Sequence, residues 1–593
     1  MTRDELYINN TKADLNKTDI TLSYKSNLLT DISKIISNRS YTIRLPKTAK
    51  NLALIECAHL PSSISRYPYL KHKGTLLRNG IEMIKNANVV LLATGETIEV
   101  ALTWGNVTNF AGVVNDGKKL TDITHGTVEG VDWVVWSNKG SNSAQFPLID
   151  YGFNSGDPNV WYHPVVTVKW ILDKIQEQSG VTFNFPADKL TVINKMIIPL
   201  LTRNDSQAIY DAYPMTLRVT GYDSSIIKFE AIGDSTQQYV STNGSRDIYP
   251  KFDSTLKLKG TIEVSYTYSQ GIDYLNTPFQ ITVYSTPTKQ EEIINIYKPA
   301  AYIEPPYIRL VYSFDTSATV YKDGYFIISS GNGQQPINSV SGSLSVTITE
   351  REEDVVLGEK FPLVPNLPDI KQIDFIKAVA SMVGLFALPD GENGIKFIPF
   401  DNLSENKSKA VDWTNRVIMA YNSITPRNLQ YTLDNIAQNN WFRYKEDDNV
   451  MGNYDGNIQV DDATIEYERD AITLPFSACS TKGGVAYIPL YSYNEEGELE
   501  YNKTNHRILL LDGTKGIFNG LEWTTLIANN YQTYKGLINN AKVVTEYIRL
   551  NSIELRDLEM DVPVYLAQYG CYLAIIEITT KENDICECKL LKL

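Results

Sequence analysis

At 593 residues the chain exceeds what one apolar core serves, and its length implies roughly three to five domains. Hydrophobic residues make up 43% and charged residues 21%, an ordinary globular balance. A net charge of −14 argues against a general nucleic-acid binder, because neutralising phosphates needs clustered Lys and Arg. Tyrosine outnumbers phenylalanine, 37 to 18, which suits half-buried sheet faces and wet contact surfaces.

Met1-Thr2-Arg3-Asp4-Glu5 carries early acids with no apolar run behind it, so no signal peptide is expected. The longest apolar stretches, Val89 to Ala93 and Cys571 to Ile576, are too short to span a bilayer. Five cysteines in so long a chain make no disulfide framework, and synthesis in a reducing cytoplasm fits. Cys586 and Cys588 would share one face of a strand, but no second pair or nearby His completes a metal site.

In chain order, short alternating runs broken by Gly, Asn, Asp and Pro predict antiparallel sheet. Ser40 to Leu45 alternates Tyr41, Ile43 and Leu45 against polar neighbours and stops at Pro46. Asn79-Gly80 signals a tight hairpin turn before Ile81, and Ile98, Val100, Leu102 and Trp104 alternate up to Gly105. A first helix is predicted with Thr167 as cap, Val168, Ile171, Leu172 and Ile175 as apolar stripe, and Gly180 as stop. The strand Val181 to Phe185 follows it. Five strands then suggest a sandwich: Leu256 to Tyr268, Phe279 to Tyr284, Ile308 to Phe314, Tyr325 to Ile328 and Leu344 to Ile348. A second helix is predicted with Asp374 as cap, Phe375, Ile376, Val379, Met382 and Val383 as stripe, and Gly384 as stop, before the strand Leu385 to Leu388. Aligning Gly180 with Gly384 superimposes the two stripes, the pattern of an internal duplication or of any Gly-capped helix before a strand. A third helix is expected near Trp523 to Leu537, and a last strand over Ile585 to Leu593.

Motifs for chemistry are scarce. The five histidines, His59, His72, His125, His163 and His506, form no H-E-x-x-H pair, and no G-x-S-x-G supports a nucleophile. Gly112 to Lys118 has the spacing of a phosphate loop, but Lys119 stands where Ser or Thr should reach magnesium. It is read as a hairpin loop. Asp447-Asp448-Asn449 and Asn453 to Gly456 have the wrong spacing for an EF-hand and read as a solvated acidic loop. Glu350, Glu352, Glu353 and Asp354 lie in one run beside Arg351, whereas glycoside cleavage needs carboxylates on opposing walls. A charged linker is expected there.

Ser40 to Thr48 with Asn51, Asn79 to Ile84, Glu99 to Asn106 and Phe146 to Gly152 resemble segments of phage tail-tip and baseplate structural proteins. Ile436 to Asp448 and the C-terminal residues Leu550, Ile553 to Leu558, Pro563 to Gly570 and Leu590 to Leu593 resemble them too. The resemblance covers about half the chain at intervals, and the region from about 205 to 350 carries none of it. It implies a tail hub, in which two related β-barrel domains per subunit surround a central axis. A trimer then offers six similar surfaces to a sixfold tube.

The expected fold is mainly β, a β-rich α+β chain of several antiparallel barrels or sandwiches with two short amphipathic helix–strand units. Its domains are an N-terminal β domain (1–150), a first helix-containing barrel (151–250) and a β-sandwich insertion (251–352). A second helix-containing barrel (353–480) and a C-terminal β region (481–593) complete it. The resemblance implies a virion protein of the tail tip, assembled in the host cytoplasm. It would be a hub-like adaptor joining tail tube to tip proteins, and not an enzyme. No catalytic, cofactor-binding or metal residues and no cofactor are assigned. The expected partners are copies of the chain (a trimer, or else a hexamer), other tail tube and tail-tip proteins, and DNA only in passing through a lumen, with no membrane segment. The other reading is a receptor- or glycan-binding tip protein, with Tyr266, Tyr268, Tyr284, Tyr312 and Tyr325 stacking on sugars.

Overall fold

The computed structural model describes residues 4–593 except 17–19, 27–28, 30–31, 33–34, 115–116, 124–129, 134–143, 153–162, 207–214, 233–239, 242–245, 251–252, 285–290, 297–298, 322–323, 331–335, 352–353, 356–359 and 420–427. The fold is mainly β, with several antiparallel sheets. No helix among the described residues is long and apolar enough to cross a membrane.

The largest sheet has fifteen strands and draws on both ends of the chain. Asp4–Ile8, His72–Arg78, Ile81–Thr94 and Ile98–Trp104 form an antiparallel meander. Its first tight turn is Asn79-Gly80, where φ is +54° and +78°, the left-handed pair that a two-residue hairpin demands. Asn38–Ser40 and Leu22–Lys25 then lead to Cys571–Thr580, Ile585–Lys592 and Val543–Arg549. Alternate side chains from both ends fill one core, Leu76, Val100 and Leu102 meeting Ile575, Ile578 and Leu590. Cys586 and Cys588 share that inner face, as period two requires. The strand expected over Ser40 to Leu45 is broken. Ser40 accepts a hydrogen bond from the Leu102 amide at 2.9 Å, Tyr41 turns outward, and only Ile43–Leu45 resumes pairing.

A second core holds both helices. Val168–Ser179 starts where the Thr167 hydroxyl accepts from the Trp170 amide at 3.1 Å, and it stops at left-handed Gly180. The other helix, Gln372–Met382, is capped by Lys371 and not by Asp374. The reason is tertiary: Lys371 bridges to Lys119 and the Gln372 amide donates to Lys118, so the extended backbone ends one turn earlier. Asp374 sits in the first turn, where its charge complements the helix dipole. Thr182–Asn184, after the first helix, and Leu385–Asp390, after the second, flank one strand, Gly394–Pro399. Both helix–strand units thus belong to one core. The third expected helix is two, Trp523–Asn530 and Gln532–Asn539, parted at Tyr531, whose hydroxyl donates to Ser381 at 2.6 Å.

The hairpin expected at Gly112 to Lys118 is instead a helical turn, Ala111–Val114, with residues 115–116 outside the described set. A Cβ on Gly112 would lie 2.4 Å from the Ser179 carbonyl oxygen, so this glycine permits close packing on the first helix.

Residues 215–351 form a nine-stranded sheet folded on itself. All five expected strands are present as Ser254–Thr267, Phe279–Tyr284, Tyr307–Val320, Tyr325–Ser330 and Ile337–Arg351. Met215–Asp223, Ile226–Ile232, Glu291–Ile296 and Ala300–Glu304 join them. Across the fold Phe279 packs on Tyr312 and Phe314, with ring centroids 4.7 and 5.6 Å away. This core shares no residue with the other two. The chain enters and leaves at a pinched neck where Asn204 bridges antiparallel to Asp354. Arg203 pairs with Asp354 at 2.8 Å, and the Asn366 carboxamide accepts from the Asn204 amide at 2.6 Å and donates to its carbonyl at 2.8 Å. Asp354, expected in a charged linker, is part of this clasp; Glu352 and Glu353 lie outside the described residues.

Candidate functional site

The histidines are the first place to seek chemistry. His163 is fully buried, with Nδ1 3.0 Å from the Leu200 carbonyl and Nε2 2.7 Å from the Tyr491 hydroxyl. A carbonyl only accepts, so Nδ1 carries the proton and Nε2 accepts from the tyrosine. Burial, reinforced by Arg203, pushes this imidazole down to about 3, so it stays neutral. His506 is driven down to about 4 by burial and by the charges of Arg507 and Lys445. His72 stacks on Tyr67 at 3.6 Å and contacts the Tyr67 carbonyl and the Asn9 carboxamide. His59 is half-buried, and His125 lies outside the described residues.

The cysteines follow the same logic. Burial pushes the thiols of Cys479 and Cys586 up to about 12, the reverse of what activates a nucleophile. Among the described residues no three His, Cys, Asp or Glu are placed to hold a metal ion.

The acidic loop expected to be solvated is partly locked inward. Asp447 forms a buried ion pair with Arg507 at 2.5 Å, their side chains 5% and 0% exposed. Asp455 accepts from the Tyr444 amide at 3.0 Å. Charges so deeply placed persist only when paired and hydrogen-bonded.

A polar cleft of about 520 Å³ opens between the large sheet and the turn around Gly391. Lys85 reaches across its mouth to Glu392 at 2.7 Å, and the ammonium holds that carboxyl below its usual range. On the far wall Asp561 accepts from Lys396 at 3.1 Å and from the Asn402 carboxamide at 3.0 Å. A general acid needs a raised carboxyl, whereas Glu392 is held ionised by its partner. The cleft acts as a clasp between sheet and helix unit.

Tyr266 and Tyr312, expected on a sugar-stacking face, are fully buried in the sandwich core. Tyr284 and Tyr325 stack on one another at 4.8 Å, and Tyr268 stacks on Tyr274 at 6.2 Å. The five tyrosines therefore form no common platform.

What the structure presents to the outside is an apolar protrusion. Between Ile55 and His72 the chain makes a ladder of turns, with Glu56 and Cys57 both at left-handed φ. Ser65 fixes its tip by donating to Glu56 and accepting from the Tyr67 amide at 3.0 Å, and Tyr67 is buried against His72. On this anchored frame Ile64 is 99% exposed and Tyr69 83%, with Leu60 and Leu70 beside them. Large apolar side chains held outward in one place mark a contact surface. The sequence carried one signal of it: apolar residues among Pro and Ser with neither helical nor strand period.

No family model matches the chain, and no curated protein matches it. Among solved structures it is similar to the 43 kDa tail protein of prophage MuSo2 from Shewanella oneidensis, at a TM-score of 0.30 and 7% identity over 100% of this chain and 98% of that one. A tail protein from Neisseria meningitidis MC58 matches at a TM-score of 0.16 and 7% identity, over 57% of this chain and 96% of that one. The globular domain of zebrafish complement 1qA matches at 0.17 and 10% identity, over 23% of this chain and 98% of that one. TM-scores this low carry no argument about function.

Proposed function

We propose that the chain is a structural subunit of a phage tail, a hub-like adaptor at the tip or baseplate that joins the tail tube to tip proteins. The observation that carries this reading is the anchored protrusion, whose exposed Leu60, Ile64, Tyr69 and Leu70 need a partner surface to leave water. The resemblance of segments such as Ile436 to Asp448 and Pro563 to Gly570 to tail-tip proteins supplies the setting. Buried groups that could have served catalysis, His163 and Asp447 among them, are committed to internal partners, which favours scaffold over enzyme. In this role subunits form a closed homo-oligomer, a trimer first and a hexamer otherwise. A net charge of −14 suits the wall of a passage that DNA crosses without sticking. The sandwich, with its own core and neck, is an inserted module.

The test is immunogold labelling of phage particles from the host that encodes the chain, with antibody raised against the recombinant protein. Label at the distal tail end is expected. Label on the capsid, or on no particle, would overturn the reading.

A further inference from the structure

The protrusion that presents Leu60, Ile64, Tyr69 and Leu70 differs in charge from the rest of the chain. From Arg39 to Ile81 there are eight Lys and Arg and one acid, Glu56, whereas the whole chain has 55 basic and 69 acidic residues. Three of the eight are committed, Arg44 to Glu99, Lys50 to Asp14 and Arg78 to Asp4. Arg66 and Lys71, on either side of Tyr69 and Leu70, are exposed and have no carboxylate partner among the described residues. Glu56 is itself engaged, accepting from the Ser65 hydroxyl. An acidic protein thus carries its outward apolar side chains on a basic end.

Size and backbone narrow what such an end can meet. Together the four apolar side chains expose on the order of 500 Å², short of the roughly 800 Å² that each partner of a stable protein interface contributes. A lipid surface asks for no matched area. It asks instead that backbone entering it bring its own hydrogen-bond partners. The ladder of turns does so. The amides of Leu60, Ser63, Tyr69 and Leu70 donate to carbonyls within it, and those of Ser65 and Tyr67 to the hydroxyls of Ser63 and Ser65. Pro61 and Pro68 have no N–H to satisfy.

We propose that this protrusion docks on an anionic lipid surface, with Ile64 and Tyr69 entering the boundary between headgroups and acyl chains and Arg66 and Lys71 staying at the phosphates. The proposal rests on the reading of the chain as a tail-end subunit with an outward contact surface, and names what that surface meets. Tyr69 suits the boundary, because its ring is apolar and its hydroxyl stays wet. Long Arg and Lys side chains reach back from an inserted turn to the headgroups. The net charge of −14 then orients the chain, since an anionic surface repels the acidic remainder and attracts this end.

The experiment is flotation of the full-length chain with vesicles of equal parts phosphatidylglycerol and phosphatidylcholine, and with vesicles of phosphatidylcholine alone. Wild type is expected to float with the first and stay behind with the second, and raised salt is expected to release it. Ile64→Ser with Tyr69→Ser should weaken binding roughly 100-fold through lost apolar burial. Arg66→Gln with Lys71→Gln should weaken it roughly 30-fold, at about fivefold per cation. All four positions face solvent, and circular dichroism checks that each variant is folded. Wild type that floats with neither vesicle or equally with both, or a variant that binds like wild type, would each overturn the contact. Wild type that ignores both vesicles while its antibody labels the tail end would sink the lipid contact and leave the tail reading standing. Flotation with the anionic vesicles by a protein whose antibody labels no particle would keep the contact and sink the tail reading.

Discussion

His163 makes the core beside Tyr491 sensitive to acid in a calculable way. In the folded chain burial holds the imidazole down at about 3, against an ordinary value of 6.5. Above 6.5 neither state is protonated and the residue is silent. As pH falls through 6.5 the unfolded segment takes up a proton that the folded one refuses, so stability falls until about pH 3. At about pH 4.5, two units below the ordinary value, the loss is about 3 kcal/mol, or roughly 100-fold in the opening equilibrium. His163→Gln keeps a donor for the Leu200 carbonyl and an acceptor for the Tyr491 hydroxyl but does not titrate. Hydrogen exchange by mass spectrometry on peptides covering 163–175 and 196–201 reads this locally, with wild type and variant compared at each pH so that intrinsic rates cancel. Wild type should lose roughly 100-fold more protection than the variant between neutral pH and about 4.5. Equal losses in the two proteins would refute the assignment of the acid sensitivity to this imidazole.

The buried pair of Arg78 and Asp4, 3% and 2% exposed and joined at 2.7 and 2.8 Å, gives a second test. Arg78→Met should cost about 3–5 kcal/mol by stranding the carboxylate, and adding Asp4→Asn should recover part of it in thermal unfolding. Gly180→Ala, left-handed but with open space around it, should cost about 1–2 kcal/mol. Gly384→Ala should cost clearly more, because its Cβ would lie 2.6 Å from the Asn530 Cβ; equal shifts in melting temperature would discount the contact. Joining residue 204 to residue 354 through two glycines should leave exchange protection in 163–201 and 360–400 intact, since bridged residues lie about 5 Å apart. Loss of that protection would show that the sandwich supports the rest of the fold.

Local pattern made some of this architecture legible. Ile98–Trp104 and Phe279–Tyr284 could be read to the residue because period two and their bounding turn residues agree. Val168–Ser179 was equally plain, with Thr167 supplying the start signal and Gly180 the stop. Met215–Asp223 escaped because its outer half is solvated on both faces, which blurs the alternation. The early start of Gln372–Met382 and the break at Tyr531 were set by partners far along the chain, Lys118 and Ser381, which no window of sequence contains. The same holds for the candidate contact surface. Ile64 looks like any isoleucine in sequence, and only the frame made by Glu56, Ser65 and Tyr67 keeps it out of a core.

The pairing of the two chain ends has a consequence for folding order. The Leu22 amide donates to the Thr580 hydroxyl at 2.8 Å, across 558 positions, and Tyr24 lies in register with Ile578. Closing a loop of that length early would set entropy against very few contacts. The sandwich, by contrast, is contiguous from 215 to 351 and has its own core, so it can form first. Once it has, the neck holds Asn204 beside Asp354 and removes about 150 residues from the path between the two helix units. Those units can then meet on Gly394–Pro399, and the large sheet closes last. Pulse-labelled exchange during refolding should therefore protect Ser254–Thr267 before Val168–Ser179, and Leu22–Lys25 after both. Early protection of Leu22–Lys25 would mean that the ends pair without the shortcut, and the neck would have no part in folding order.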